Sequence, residues 1–65
     1  MHITINQTPQ ALPDGATVLD ALAALGATPP FAVAVNTTFV PSAEHAGHAL
    51  HDGDSVEVIS PVTGG

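Results

Sequence analysis

Lysine, arginine and cysteine are absent from this sequence of 65 residues, and so are tryptophan and tyrosine. Without lysine or arginine, the chain has no strongly basic side chain to pair with phosphate groups, which argues against nucleic-acid binding. Without cysteine, it has no disulfide, no thiolate metal site and no cysteine nucleophile. No apolar run reaches the length of a membrane span, and no basic segment with an apolar core indicates a secretion signal. The composition therefore predicts a soluble, cytoplasmic protein.

The charged side chains that are present are all acidic. Six Asp and Glu residues give a formal net charge of −6 at pH 7. A uniformly acidic protein is steered towards basic surfaces on its partners. The length corresponds to one domain that buries about 60% of the surface of its unfolded chain. We expect a free energy of unfolding of only about 3–5 kcal/mol.

The alternation of apolar and polar residues predicts short strands around one helix. The predicted strands cover residues 1–6, 10–13, 31–35, 39–40 and 55–60, and the predicted helix covers residues 18–25. Thr17 and Asp20 have the spacing of a capping box, with Asp in place of the usual Glu. Gly26 has the position of a left-handed C-terminal cap. A turn is expected over residues 6–9, and Ser42 is expected to cap a single helical turn over residues 43–45.

The predicted helix has an apolar face that is suited to cover a sheet. This face contains Val18, Leu22 and Leu25, with Leu19 beside them. Leu22 lies at the centre of the face. Its expected neighbours on the sheet are Ile3, Ile5, Val33, Val35, Val56 and Val58.

Three other large apolar residues have different expected positions. Phe31 and Phe39 are expected in the core, although Phe39 lies near a strand edge and is also a candidate for a docking surface. Ile59 falls on the polar face of the last strand, because Val56 and Val58 occupy the other face. We therefore name Phe39 and Ile59 as a candidate partner-docking surface.

Three of the four histidines, His45, His48 and His51, are spaced by three residues. Gly47 interrupts any helix that would bring them to one face. Metal binding requires convergent ligands with supporting hydrogen bonds, and the sequence indicates neither. The histidines are therefore predicted to be exposed surface residues, and no metal site is expected.

These elements together predict an α+β domain, with a mixed sheet of four to five strands packed on one helix. The predicted domain covers residues 1–60, and residues 61–65 are predicted to form a flexible C-terminal tail.

The tail ends in Gly64 and Gly65, and this pair indicates a reactive C-terminal carboxylate. Glycine has no Cβ, so this segment is thin enough to enter a narrow channel and present the Gly65 carboxylate to another protein. An ionised carboxylate can attack the α-phosphorus of ATP and form an acyl-adenylate, which then reacts with sulfur or amine nucleophiles. Because the chain has no lysine and no cysteine, no side-chain amine or thiol of its own can intercept the activated end.

The order of several short motifs resembles the ubiquitin-like β-grasp sulfur carriers, and most closely the ThiS-type carriers of thiamine biosynthesis. The motifs span the chain: Ile3-Thr4-Ile5-Asn6, Asp14-Gly15-Ala16-Thr17-Val18, Val33-Ala34-Val35-Asn36, Phe39-Val40-Pro41, Leu50-His51-Asp52-Gly53-Asp54, Val56-Glu57-Val58-Ile59 and Gly64-Gly65. The chain differs from the family pattern at Ser42 and His45, where the family often has an arginine and an aromatic residue.

The resemblance implies a carrier protein that acts as a co-substrate of partner enzymes and is not itself an enzyme. It implies that a ThiF-like adenylyltransferase uses ATP to adenylate Gly65, that a cysteine desulfurase persulfide supplies sulfur, and that the resulting thiocarboxylate serves a ThiG-like thiazole synthase. No catalytic side chain and no bound cofactor are expected in the chain. Gly64, Thr63 and Val62 are the tail residues presented to the partner active site.

Three other functions remain compatible with the sequence. A MoaD-type small subunit of molybdopterin synthase uses the same diglycine chemistry, and Ser60-Pro61-Val62 is similar to its ending. A ubiquitin-like protein modifier is a second alternative. The third is a non-catalytic TGS-like binding module, which belongs to a different class and needs no free diglycine end.

The charge composition generates a prediction about solubility. Protonation of all four histidines adds four positive charges and changes the formal charge from −6 to −2, so electrostatic repulsion weakens below the ordinary histidine pKa of about 6.5. We expect solubility to fall as the pH approaches the isoelectric point near 4.5. Turbidity and the soluble fraction measured across this range test the prediction, and a flat solubility profile contradicts it.

Overall fold

The described part of the chain forms one mixed sheet and one α-helix. The computed structural model describes residues 1–26 and 32–59. The elements in chain order are β1 (His2–Ile5), β2 (Thr8–Ala11), α1 (Val18–Leu25), β3 (Ala32–Val35), β4 (Thr38–Val40), a 3₁₀ turn (Ser42–Glu44) and β5 (Ser55–Ile59). The helix bounds agree with the prediction, whereas several strand bounds differ.

The strands lie in the order β2-β1-β5-β3-β4. β1 and β5 are parallel, and the other neighbouring pairs are antiparallel. β5, the last of the described strands along the sequence, is therefore the central strand of the sheet, with a neighbour on each side. This arrangement confirms the predicted α+β class and gives the upper end of the predicted strand number for the described residues.

Two-residue turns connect both hairpins, and this explains why the predicted start of β2 was wrong. Asn6 and Gln7 both have positive φ, as do Asn36 and Thr37. This is the requirement of a type I′ turn, and asparagine tolerates it better than most residues. The first turn therefore ends at Gln7, and β2 begins at residue 8 instead of residue 10. Pro9 fits within β2 because an edge strand can tolerate a residue without an N–H group.

The asparagines of these turns also bind β5. The Oδ1 atom of Asn6 accepts a hydrogen bond from the Val58 amide at 2.8 Å. Asn36 Oδ1 accepts one from the Ser55 amide at 2.9 Å. The two side chains therefore extend the backbone bonding of β5 at the points where β1 and β3 turn away.

The predicted caps of α1 are present. Thr17 Oγ1 accepts a hydrogen bond from the Asp20 amide, and Asp20 Oδ2 accepts one from the Thr17 amide at 2.8 Å, which completes the capping box. Gly26 has φ of 74° and ends the helix in the left-handed conformation. The prediction for Ser42 was wrong: Ser42 is the first residue of the 3₁₀ turn, and Pro41 precedes it with no side-chain cap.

The core lies between α1 and one face of the sheet. Leu22 is 3% exposed and belongs to the buried cluster with all six expected sheet residues. The rest of the helix face differs from the prediction, because Leu19 and Leu25 are exposed and Ala21 is buried. Leu19 is rotated by about 100° from Val18 around the helix axis, and Leu25 lies in the last turn, outside the cluster. The small side chain of Ala21 allows the helix to approach the sheet closely.

Asp54 organises the turn before β5. Its Oδ1 accepts a hydrogen bond from Asn36 Nδ2 at 2.9 Å, and its Oδ2 accepts one from the His51 amide at 2.8 Å. Partial burial raises the pKa of Asp54, but these hydrogen bonds and the nearby histidines His51 and His48 lower it by more. The pKa of this carboxyl group therefore lies below its ordinary value of 3.8.

The central position of Leu22 generates a stability prediction. Leu22→Ala removes buried methyl groups and leaves a cavity, which costs about 2–5 kcal/mol. In a domain whose free energy of unfolding is about 3–5 kcal/mol, this loss is enough to unfold much of the population. Leu25→Ala removes the same atoms from a side chain that is 44% exposed, so it is the matched control and should cost much less. Urea denaturation measures both losses, and equal losses contradict the assigned helix face.

The contacts of Asp54 generate a pH prediction. A carboxyl group whose pKa is lowered on folding stabilises the fold at pH above its ordinary value, and this stabilisation is lost as pH falls through the lowered pKa. We expect Asp54→Asn to be less stable than the native chain at neutral pH, and the difference to shrink as the pH falls below 3.8. Glu44→Gln, at an exposed position, is the control. A difference between Asp54→Asn and native stability that does not change with pH contradicts this account.

Candidate functional site

The predicted reactive end and its tail, Gly65, Gly64, Thr63 and Val62, lie outside the described residues, as does the predicted tail segment 61–65 as a whole. The structure describes the strand that leads to them. β5 ends at Ile59, and Gly65 is the sixth residue after it. Covalent geometry limits a span of six residues to about 20 Å.

The end of β5 is fixed in the sheet on the side of β3. Ile59 is in register with Ala32, and Val58 with Val33. On the other side, the Val58 amide donates a hydrogen bond to the side-chain oxygen of Asn6. Sequence reasoning missed this role of Asn6, although a turn asparagine directly after a strand was a usable signal.

Phe39 is 64% exposed, so its expected position in the core was wrong. The alternation of β4 explains the difference: Val40 is 2% exposed and fills the core position of this short strand, which turns Phe39 to the opposite face. Phe39 remains a candidate for docking. The other predicted core phenylalanine, Phe31, lies outside the described residues.

Phe39 and Ile59 lie on the same face of the sheet, which we call the outer face because it is opposite α1. Ile59 is 64% exposed, as the alternation of β5 predicted. The structure places two small residues of β3, Ala32 and Ala34, in register with Ile59 and Phe39 respectively. The predicted docking pair therefore forms part of one exposed apolar patch at the end of β5.

One carboxylate borders this patch. Glu57 is exposed, and its backbone is in register with Ala34, which is in turn in register with Phe39. No ion pair or hydrogen bond of the Glu57 side chain is present among the described residues. Sequence reasoning did not single out Glu57, since its neighbours on the outer face come from β3 and β4.

The histidines do not all have the predicted exposure. His45 is 4% exposed, and its Nε2 lies 3.0 Å from the carbonyl oxygen of Val40, so the surface prediction was wrong for this residue. The backbone carbonyls of His45 and His48 accept hydrogen bonds from the first amides of α1. This loop therefore folds against the helix N-terminus, which explains the burial of His45. The described residues contain no cluster of three potential metal ligands.

A small open cavity lies in the same loop and is separate from the outer face. It has a volume of about 300 Å³ and is lined by Ala43, Glu44, Gly47 and His48. In the described ranges, no helix has the length and hydropathy that crossing a membrane requires.

The comparisons with known proteins agree with this architecture. The model of the ThiS family matches residues 3–65, which include the segment beyond β5. The crystal structure of the thiamine biosynthesis protein (ThiS) from Geobacter metallireducens is similar, with a TM-score of 0.81 and 25% sequence identity over 100% of both chains. No curated protein sequence gives a significant match. The structural similarity confirms the predicted β-grasp fold, and the match to almost the whole sequence shows that the chain belongs to the ThiS family.

Proposed function

We propose that this chain is a sulfur carrier of thiamine biosynthesis, in which the carboxylate of Gly65 becomes a thiocarboxylate and donates sulfur for thiazole formation. Membership of the ThiS family carries this proposal, because the match extends through Gly64 and Gly65. The similar structure from Geobacter metallireducens, whose title names a thiamine biosynthesis protein, supports the same pathway.

The first step is activation by a ThiF-like adenylyltransferase. A carboxylate oxygen of Gly65 attacks the α-phosphorus of ATP, the bond between the α- and β-phosphates breaks, and pyrophosphate leaves. Adenylation is necessary because a free carboxylate is a poor acceptor for nucleophiles. The chain supplies no catalytic side chain and binds no cofactor of its own in this step, since ATP is held by the partner.

The second step adds sulfur from outside the chain, because the chain has no cysteine. The terminal sulfur of a persulfide, formed on a cysteine desulfurase, attacks the carbonyl carbon of the acyl-adenylate and releases AMP. A second thiol then cleaves the sulfur–sulfur bond and is oxidised to a disulfide. The sulfur that remains on Gly65 completes the thiocarboxylate.

The third step delivers this sulfur to a ThiG-like thiazole synthase. Sulfur in a thiocarboxylate carries much of the negative charge and is a stronger nucleophile than carboxylate oxygen. Transfer therefore depends on presenting the end of the tail in the partner active site. In this scheme, Gly64, Thr63 and Val62 form the narrow segment that enters it, and the chain is a co-substrate.

The position of the outer face suits a docking role in these steps. Phe39 and Ile59 are exposed on one face, and Ile59 is the last residue of the strand that leads to the tail. A partner that binds this face therefore holds the start of a segment whose reach is about 20 Å. The docking surface and the reacting carboxylate are therefore connected by a segment of fixed maximum length.

The proposal generates a prediction about the tail. Deletion of Gly65 leaves a carboxylate one residue short of the α-phosphate of ATP, so we expect loss of ATP–pyrophosphate exchange with a ThiF-like enzyme. The truncated chain should still dock and compete with the native chain. Addition of one glycine after Gly65 should also abolish exchange. Glu44→Gln, which lies in the 3₁₀ turn and leaves the tail unchanged, is the control and should retain exchange.

Intact mass provides the second readout. With the adenylyltransferase, ATP, a cysteine desulfurase and cysteine, the native chain should gain the mass difference between one sulfur and one oxygen. Exchange at the native rate by the truncated chain, or no sulfur gain by the native chain with an active partner set, would falsify the carrier proposal. The TGS-like binding module would then be the better hypothesis.

A further inference from the structure

The outer face combines an apolar patch with a carboxylate that the chain cannot neutralise with Lys or Arg. Phe39, Ala34 and Glu57 follow one another across three neighbouring strands. Since neighbouring strands lie about 4.8 Å apart, the backbones of Phe39 and Glu57 are about 10 Å apart. Ala34 lies between them and has no side chain beyond its Cβ, so the surface between the two larger side chains is recessed.

A partner that covers Phe39 and Ile59 also covers Glu57. Glu57 precedes Ile59 by two residues on β5, so both side chains project from the same face. Burying a carboxylate without a counter-charge costs several kcal/mol. The chain cannot provide this counter-charge from a lysine or arginine, since the sequence contains neither.

We propose that the outer face is built for a partner that places a lysine or arginine side chain against Glu57 within an otherwise apolar contact. This inference rests on the proposed function, because it identifies the partner as the adenylyltransferase that receives the tail. The charge complementarity adds affinity and orients the partner, since an apolar patch alone gives little directional preference.

Glu57 also disfavours the competing occupant, a second copy of the chain. A two-fold symmetric dimer through this face would bury the Glu57 carboxylates of both copies, and neither copy has a lysine or arginine to pair with them. His2 is the nearest histidine on the outer face along β1, and the pairing of Thr4 with Ser55 places it four residues along the strand direction from Glu57. That separation is about 13 Å, too far to provide the counter-charge within one copy.

The test compares Glu57→Gln with Glu44→Gln in binding to the adenylyltransferase of the proposed function. Both changes remove one exposed carboxylate, but Glu44 lies in the 3₁₀ turn and not on the outer face. We expect Glu57→Gln to weaken binding roughly tenfold or more and to make it less sensitive to salt. Glu44→Gln should have much smaller effects. Phe39→Ala should also weaken binding, without changing the salt dependence.

Three outcomes overturn the inference. Equal binding by Glu57→Gln and Glu44→Gln, together with weak binding by Phe39→Ala, shows an apolar docking face without a paired cation. Unchanged binding by both Glu57→Gln and Phe39→Ala places the docking surface elsewhere. A native dimer at neutral pH that Phe39→Ala dissociates, seen by sedimentation, assigns the face to self-association. In each case, sulfur gain at Gly65 is measured separately, so the carrier proposal stands or falls on its own result.

Discussion

The pairing of β5 on both of its edges is the constraint on which the rest of this structure depends. β5 is the last of the described strands in sequence, yet it lies between β1 and β3. Its inward residues Val56 and Val58 complete the core under α1, and on the other face Ile59 belongs to the exposed patch that Glu57 borders. The sheet therefore provides a rigid base for the segment that follows. β1 pairs only with the first two residues of β5, so the support at its end comes from β3 and from the Asn6 side chain, which accepts a hydrogen bond from the Val58 amide.

The features that could be predicted from the sequence are those with local causes. The capping box at Thr17 and the left-handed end at Gly26 each depend on residues within one or two turns of α1, and both are present. The start of β2 was missed because the turn at Asn6 and Gln7 has positive φ without a glycine. A turn of this type is as short as an Asn-Gly turn but has a weaker sequence signal.

The errors in burial have a non-local cause. Phe39 belongs to a strand of three residues, too short for alternation to identify the buried face when apolar residues occupy neighbouring positions. His45 is buried because the loop after the 3₁₀ turn folds onto the helix N-terminus, a contact that joins residues far apart in sequence. The candidate site shows the same division: Gly65 was named from its chemistry, whereas the grouping of Phe39 with Glu57 required the strand order.

The absence of lysine, arginine and cysteine affects both the proposed reaction at the C-terminal carboxylate and the proposed docking surface. An activated carboxyl end is a hazard in a protein with many lysines, because a second copy can become an acceptor through its side-chain amines. This chain offers a second copy no such amine and no thiol, and two copies with a net charge of −6 repel each other. The same composition leaves Glu57 without a strong cationic partner inside the chain. Under the proposed function, the chain therefore has no side-chain amine or thiol to accept its own activated end, and the positive charge opposite Glu57 comes from the docking partner.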